Sequence, residues 1–435
     1  MADIISDLKW RGLIADSTDI DRLRAELGSG SMCFYCGFDP TAPSLHLGNL
    51  LQILIMRRLQ LAGHRPLALV GGATGLIGDP KDTGERSLNE RDVVAGWAER
   101  VDAQLRQFLD FDGPAAARTV NNYEWTSSLG AVEFLREIGK HFSVNRMLDR
   151  EAVAARLAGP GISFAEFSYQ LLQANDFLEL SRSYGCRLQT GGSDQWGNLT
   201  AGVDLVRRVT GDHVHAMTSP LMVKADGTKF GKTESGTVWL SADLTSPYAF
   251  YQFWVNADDD DAVAWLKAFS LRPRQEIEDL AAEVAERPQR REAQRALAEE
   301  LTTLVHGGDA TRAVVAASQA LFGRGDLTEL SPDVLDAALT EAPHVRLAAG
   351  DAGESGLRFV DAMARSGLVP GISAARRAVA EGGAYLNNVR VTDAERIVSA
   401  EDLVHGRWLV VRRGRRSFAG VDASEALRNR AADVE

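Results

Sequence analysis

The sequence predicts an α/β protein: a parallel sheet with helices on both faces in its first half, then an α-helical stretch, then a small basic α+β module. Three observations predict it. Apolar runs of strand length alternate with helix-spaced segments from Met32 to Asn122. From about Ser246 the pattern becomes helical and acidic. Residues 357–416 hold eleven arginines and six acids, so they carry +5 and the rest of a chain of net charge −12 carries −17. Alternating strand and helix patterns mark parallel strands joined by crossover helices. A basic module on an acidic body confines polyanion contact to one part of the molecule.

The elements follow in order. Met32 to Phe38 is an apolar run ending at Asp39-Pro40-Thr41, and Leu45 to Leu61 then has helix length and spacing. Pro66 to Val70 is a second strand, closed by the glycine-rich Gly71-Gly72-Ala73-Thr74-Gly75. Val94, Trp97, Val101, Leu105 and Phe108 recur every three or four residues, which predicts an amphipathic helix. Arg118 to Asn122 reads as a further strand. Asp258 to Asp261 can cap a helix over Ala262 to Phe269, and Gln275 to Ala285 and Arg290 to Val305 read as charged amphipathic helices. Pro343 to Gly356 is small, polar and glycine-rich and reads as a linker. The expected division is therefore a sheet domain at 1–245, a helical domain at 246–342, a linker at 343–356 and the basic module at 357–421.

Composition narrows the function classes. A chain of 435 residues, 45% apolar and 25% charged, has ample material for buried cores and is not expected to be disordered. No run approaches eighteen apolar residues, and Met1 to Trp10 lacks a basic region leading into an apolar one, so neither a membrane span nor a secretory signal is expected. Three cysteines cannot build a disulfide framework and suit a reducing cytoplasm. Cys33 and Cys36, three apart in an extended strand, face opposite ways, and Cys186 alone remains as a third thiol, so no metal site is expected.

Two segments carry the chemistry. In the first, Tyr35 to Asn49, a strand ends, a proline-bounded loop turns, and a helix starts near His46. His46 and Asn49 share a helix face, and Gly48 between them permits close approach to the backbone. Free amides and the helix dipole favour an anion there, and neutral donors suit a triphosphate that already carries magnesium. In the second, Lys224 to Gly236, lysines and hydroxyls lie between Gly227, Gly231 and Gly236, a loop able to close over charge developing on phosphate oxygens. It lacks P-loop spacing, and the glycines of 71–78 lack the dinucleotide fingerprint. A helix between them places Tyr169, Gln173 and Asp176 on one face, while Phe167, Leu171, Leu172 and Phe177 require that helix to be substantially buried.

His46-Leu47-Gly48-Asn49 and Lys229-Phe230-Gly231-Lys232-Thr233 resemble the HIGH and KMSKS motifs of class I aminoacyl-tRNA synthetases. With Tyr35 to Thr41, Phe167 to Asp176 and Gly191-Gly192-Ser193-Asp194-Gln195-Trp196-Gly197-Asn198, nearly the whole chain resembles the bacterial tyrosyl-tRNA synthetase family. The resemblance implies a Rossmann-like catalytic domain. It implies that Tyr35 and Asp176 bind the phenol of tyrosine and that Asp79, Tyr169 and Gln173 bind its ammonium, with Gln195 beside the reacting carboxylate. Asp39, Gly192 and Asp194 would contact the nucleotide ribose. Thr41, His46, Gly48, Asn49, Lys229, Lys232 and Thr233 would attend the phosphates of Mg-ATP, and Arg86 the pyrophosphate. Two features depart from the family pattern: Asn49 replaces the motif's second histidine, and the Asp79 to Arg86 loop is shortened, which leaves the role of Lys81 open.

The basic module resembles the S4 RNA-binding fold. Ser373 to Glu381 supplies a helix with Arg376 and Arg377, a hairpin turns at Asn387-Asn388, and the run Trp408 to Val411 leads into Arg412 and Arg413. These four arginines are the expected contacts to tRNA. A cytoplasmic homodimeric enzyme acting on tyrosine, ATP and tRNA is the expected whole. A tryptophanyl-tRNA synthetase and a non-catalytic S4-type RNA-binding protein are the alternatives. The Tyr35 and Asp176 pair weighs against the first, and the retained motif lysines, His46 and Gln195 against the second.

Overall fold

A computed structural model of the chain describes residues 3–80, 89–159, 161–228, 230–233, 236–353, 356–414 and 417–431, without the side chains of 151, 152, 232, 233 and 428–431. It divides into two compact units, Met1–Leu244 with Ala257–Leu297, and Thr245–Asn256 with Ala298–Glu435.

The first unit is built on a five-stranded parallel sheet. Its elements in chain order are β1 (Cys33–Phe38), α1 (Leu47–Leu61), β2 (Arg65–Val70), α2 (Arg91–Phe108), β3 (Arg118–Asn121), α3 (Phe164–Tyr184), β4 (Cys186–Gly192), α4 (Trp196–Thr210) and β5 (His215–Ser219). Spatial order is β3-β2-β1-β4-β5. The chain leaves β1 to one side through β2 and returns to the other through β4, so a crevice opens at the carboxyl ends of β1 and β4, where sheets of this kind bind ligands. The periodicity read in the sequence is buried as expected: Val94, Val101, Leu105 and Phe108 of α2 all face the core. α3 is capped by the Ser163 hydroxyl, which accepts from the Glu166 amide at 3.3 Å, and it ends at Gly185 with φ 64°. A fully enclosed ion pair, Arg156 to Glu166 at 2.9 Å, fastens the preceding helix Glu151–Leu157 to the first turn of α3. Removing either partner would strand a buried charge.

Strands β4 and β5 complete the sheet beyond the apolar runs recognised in the sequence, and β3 stops at Asn121, releasing Asn122 toward the crevice.

The second unit contains α5 (Pro247–Val255), α6 (Gly308–Leu321), α7 (Pro332–Glu341), β6 (His344–Arg346), α8 (Ile372–Ala380), β7 (Ala384–Leu386), β8 (Val389–Arg390), β9 (Trp408–Arg413) and β10 (Ser417–Asp422). Its five-stranded sheet has the order β8-β7-β9-β10-β6, antiparallel except for the β10–β6 pair. β6 lies inside the segment read as a linker: 343–356 contributes a strand rather than a free tether. The β7–β8 hairpin turns through Asn387 and Asn388, at φ 46° and 67°, the left-handed pair of a tight hairpin that asparagine tolerates.

Arg412 was expected to reach RNA from the end of β9, but β9 is flanked by β7 and β10, and Arg412 is 6% exposed. Its guanidinium lies 4.1 Å from the Tyr385 ring centre and donates to the Gly414 carbonyl at 2.9 Å, so it braces the sheet. Arg413, Arg376 and Arg377 are exposed.

Candidate active site

A cavity of about 1020 Å³ occupies the crevice beside β1 and β4. Thr41, His46, Gly48, Asn49, Tyr35, Asp39, Asp79, Tyr169, Gln173, Asp176, Gly192, Asp194 and Gln195 all line it. Residues 130 or more positions apart in sequence therefore meet in one place, as the Tyr169–Asp39 bond shows. Arg86 and Lys229 lie outside the described residues, as do the side chains of Lys232 and Thr233, whose backbones pair with Thr237 and Gly236.

At one end, His46 is the N-cap of α1. Its Nδ1 accepts from the amides of Gly48 and Asn49 at 3.1 and 3.4 Å, and the Asn49 carbonyl oxygen accepts from the His46 amide at 3.1 Å. This reciprocal cap is the local reason for the motif. With Nδ1 accepting, a neutral imidazole carries its proton on Nε2, which makes that nitrogen a donor. A methyl on Gly48 would lie 2.9 Å from His46 Cε1, so the ring position requires glycine there.

At the other end, Tyr35 is fully buried, its ring edge-on to Phe177 at 5.3 Å. Its hydroxyl has no hydrogen-bond partner among the described residues, and neither has the carbonyl oxygen of Gln173. Asp176 accepts from Asn122 Nδ2 at 2.9 Å and Trp125 Nε1 at 2.8 Å. Burial pushes its carboxyl up to about 7, against those two donors. Asn122 is itself fixed, accepting from the Ala73 amide at 2.7 Å and donating to Thr74 Oγ1 at 2.9 Å.

Between the ends, Asp39 accepts from Tyr169 Oη and from Thr74 Oγ1, both at 2.6 Å, joining the end of β1 to α3. Burial, then the Asp39 charge, drives the Tyr169 phenol well above its ordinary value. A methyl on Gly71 would collide with Asp39 Oδ1, so glycine makes room for this carboxylate. Asp79 accepts from Gln195 Nε2 at 2.7 Å and Asn198 Nδ2 at 3.2 Å, and Asn198 also donates to Gln195 Oε1 at 2.9 Å. Burial raises the Asp79 carboxyl, opposed by those donors and by the Arg150 charge. Asn122, Trp125, Arg150 and Asn198 were not singled out in the sequence. The polar pair Asn122 and Trp125, three apart immediately after a strand, was the available signal.

All three cysteines are free and buried, and among the described residues no group of three or more His, Cys, Asp or Glu is placed to hold a metal ion.

Comparison with known proteins gives the family. The family described as tRNA synthetases class I (W and Y) matches residues 29–323, and the tyrosine–tRNA ligase SYY-like C-terminal domain matches 335–421. Fold and site thus define a class I aminoacyl-tRNA synthetase. The tyrosine–tRNA ligase of Streptomyces avermitilis is 61% identical over 98% of this chain and 100% of its own, and that of Streptomyces coelicolor 60% identical over the same shares. The C-terminally truncated mitochondrial tyrosyl-tRNA synthetase of Aspergillus nidulans superposes with a TM-score of 0.67 at 31% identity, covering 74% of this chain and 94% of that one. The chain belongs to the tyrosine–tRNA ligase family.

Proposed function

We propose that the cavity activates L-tyrosine with ATP, giving tyrosyl-adenylate and pyrophosphate, and then passes the tyrosyl group to the 3′-terminal adenosine of tRNA(Tyr). The observation that carries the choice of amino acid is the buried, unpartnered Tyr35 hydroxyl in the cavity that Asp176 also lines. A phenol hydroxyl entering there can satisfy both: it donates to the carboxylate and accepts from the Tyr35 hydroxyl. Asp79, Tyr169 and Gln173 take the ammonium, and Gln195 lies beside the carboxylate. Asp39, Gly192 and Asp194 hold the ribose. His46, Asn49, Thr41 and the backbone at Gly48 meet the phosphates, joined by Arg86, Lys229, Lys232 and Thr233.

The tyrosine carboxylate oxygen attacks the α-phosphorus and the bond to the bridging oxygen of pyrophosphate breaks. No side chain need become covalently bonded. The protein lowers the barrier by holding the two reactants in line and by aiming donors at the departing charge. Magnesium enters with the nucleotide. His46 and Asn49 present mainly nitrogen donors at the phosphate end, unlike the all-oxygen set that would hold a hard cation on its own.

Residues 1–245, 246–342 and 357–421 serve catalysis, the anticodon arm and RNA binding. Exposed Arg376, Arg377 and Arg413 supply phosphate contacts. The enzyme works as a homodimer. Large apolar side chains stand exposed within one stretch of the first unit, with Val132 80%, Leu135 56%, Val144 57% and Phe164 75% accessible, a surface that a second copy would cover. Among the described residues no helix is long and apolar enough to cross a membrane.

Amino-acid-dependent exchange of pyrophosphate into ATP, run with all twenty amino acids, tests the reading. Tyrosine alone should support exchange at low concentration. Exchange with tryptophan instead would move the chain to the other branch of its family, and none at all would leave only the RNA-binding reading.

A further inference from the structure

We propose that Arg150 binds the α-carboxylate of the amino-acid substrate, forming with Asp79 a two-sided clamp for the zwitterion. This rests on the assignment of the Asp79 end of the cavity to the substrate's ammonium.

Arg150 stands at the N-cap of the helix Glu151–Leu157, is half-buried, and lines the cavity. Among the described residues its guanidinium has no hydrogen-bond or ion-pair partner, whereas its neighbour Arg156 is fully paired. Space for it has been left: a methyl on Gly197 would lie 3.0 Å from Arg150 Nε, so the side chain rests on bare backbone in the first turn of α4. That is the positive end of a fifteen-residue helix. A cation packed there is unfavourable, and an incoming anion would be attracted by guanidinium and helix together.

The cavity's chemistry selects the anion. The carboxylate that acts on Arg150 is Asp79, already bonded to Gln195 and Asn198. An α-amino acid carries ammonium and carboxylate on one carbon. A ligand whose ammonium meets Asp79 therefore brings its carboxylate close to the cation that Asp79 attracts. Guanidinium is suited to hold a carboxylate by two parallel hydrogen bonds. Held so, the carboxylate oxygens are oriented for attack on the α-phosphorus.

The test compares L-tyrosine with L-tyrosinol, in which a hydroxymethyl group replaces the carboxylate, binding to the full chain as wild type, Arg150→Gln and Arg150→Lys, followed by tryptophan fluorescence. Arg150→Gln should weaken tyrosine by about ten- to a hundredfold, the range of a charge-assisted hydrogen bond, and leave tyrosinol within about twofold. Arg150→Lys should retain part of the preference, which also shows that the site tolerates substitution. Equal weakening of both ligands would mean a merely structural role and overturn the proposal. Unchanged binding of both, with the loss confined to tRNA charging, would overturn it too and assign Arg150 to the incoming tRNA end. Tyr35→Phe should weaken both ligands alike. If it weakens neither, the pocket assignment itself fails and the clamp with it.

Discussion

Two buried aspartates, one in each unit, show how differently the molecule uses enclosed charge. Asp422, at the end of β10, accepts from Arg407 Nε at 2.9 Å and from Ser424 Oγ at 2.7 Å. Arg407 also pairs with Asp336, which takes the Trp408 indole N–H at 2.6 Å. Burial raises the Asp422 carboxyl, but the bonds from Ser424 and Arg407 outweigh it and hold the group below its ordinary range. Asp176, in α3, has two neutral donors, and the charges that act on it, Asp39 and Glu179, are of its own sign. Burial therefore wins and its carboxyl rises to about 7. One carboxylate is neutralised for the sake of the fold. The other keeps capacity for a ligand. Buried polarity that is fully paired holds structure together, while buried polarity left short of partners marks where a substrate is to be bound.

The largest effect expected from this contrast is at Asp176. Asp176→Ala removes the charged acceptor and strands the Asn122 and Trp125 donors, so kcat/KM for tyrosine-dependent exchange should fall by about a hundredfold or more. A loss under threefold would break the contrast from the catalytic side. Asp422→Ala should do the opposite: urea unfolding of the second unit should be easier by about 1–3 kcal/mol, discounted because Arg407 is well exposed, while tyrosine exchange stays within about twofold. Loss of exchange in a folded Asp422→Ala protein would make the two aspartates equivalent.

The pH dependences should also diverge. Because the native state raises Asp176 from 3.8 to about 7, it holds a proton there that the unfolded chain has released, so this group lowers stability as pH rises through that window. Asp422 is depressed, so its stabilisation is complete above its unfolded value of 3.8 and is lost as pH falls through its lower native value. For function, protonating Asp176 removes the acceptor, so tyrosine affinity should fall by up to about tenfold per unit below pH 7. Asn122→Ala removes a donor that lowers this carboxyl and should shift the midpoint upward. A flat tyrosine affinity from pH 5 to 8 in both proteins would contradict the assignment.

Much of this site was legible because its elements carry their own local signals. His46 and Asn49 form a reciprocal helix cap, so spacing and chemistry coincide, and Tyr169, Gln173 and Asp176 follow helix periodicity. β4 gave no apolar run because Gln189, Thr190, Gly191 and Gly192 at its carboxyl end line the cavity. Asn122 and Trp125 act through Asp176, more than fifty positions away, a relation that only the folded chain creates. Arg412 misled for the converse reason: an arginine after an apolar run looks presented to solvent, but β9 has a neighbour on each side and Tyr385 covers the guanidinium. β6 hid in a small, polar segment because it is a three-residue strand at the edge of its sheet, paired on one side only.

On the proposed function, the unpartnered Tyr35 hydroxyl and Asp176 together read the phenol of the substrate. The most direct test of this claim is the ratio of exchange efficiencies for tyrosine and phenylalanine in wild type and Tyr35→Phe, measured beside the urea midpoint of each. The substitution deletes a buried hydroxyl that has no partner among the described residues, so stability without ligand should hold or rise by up to about 1 kcal/mol. The tyrosine-to-phenylalanine ratio should meanwhile fall by about three- to tenfold, the worth of one neutral hydrogen bond. An unchanged ratio would contradict the claim, because the hydroxyl left unpaired by the fold would then be unused by the substrate as well.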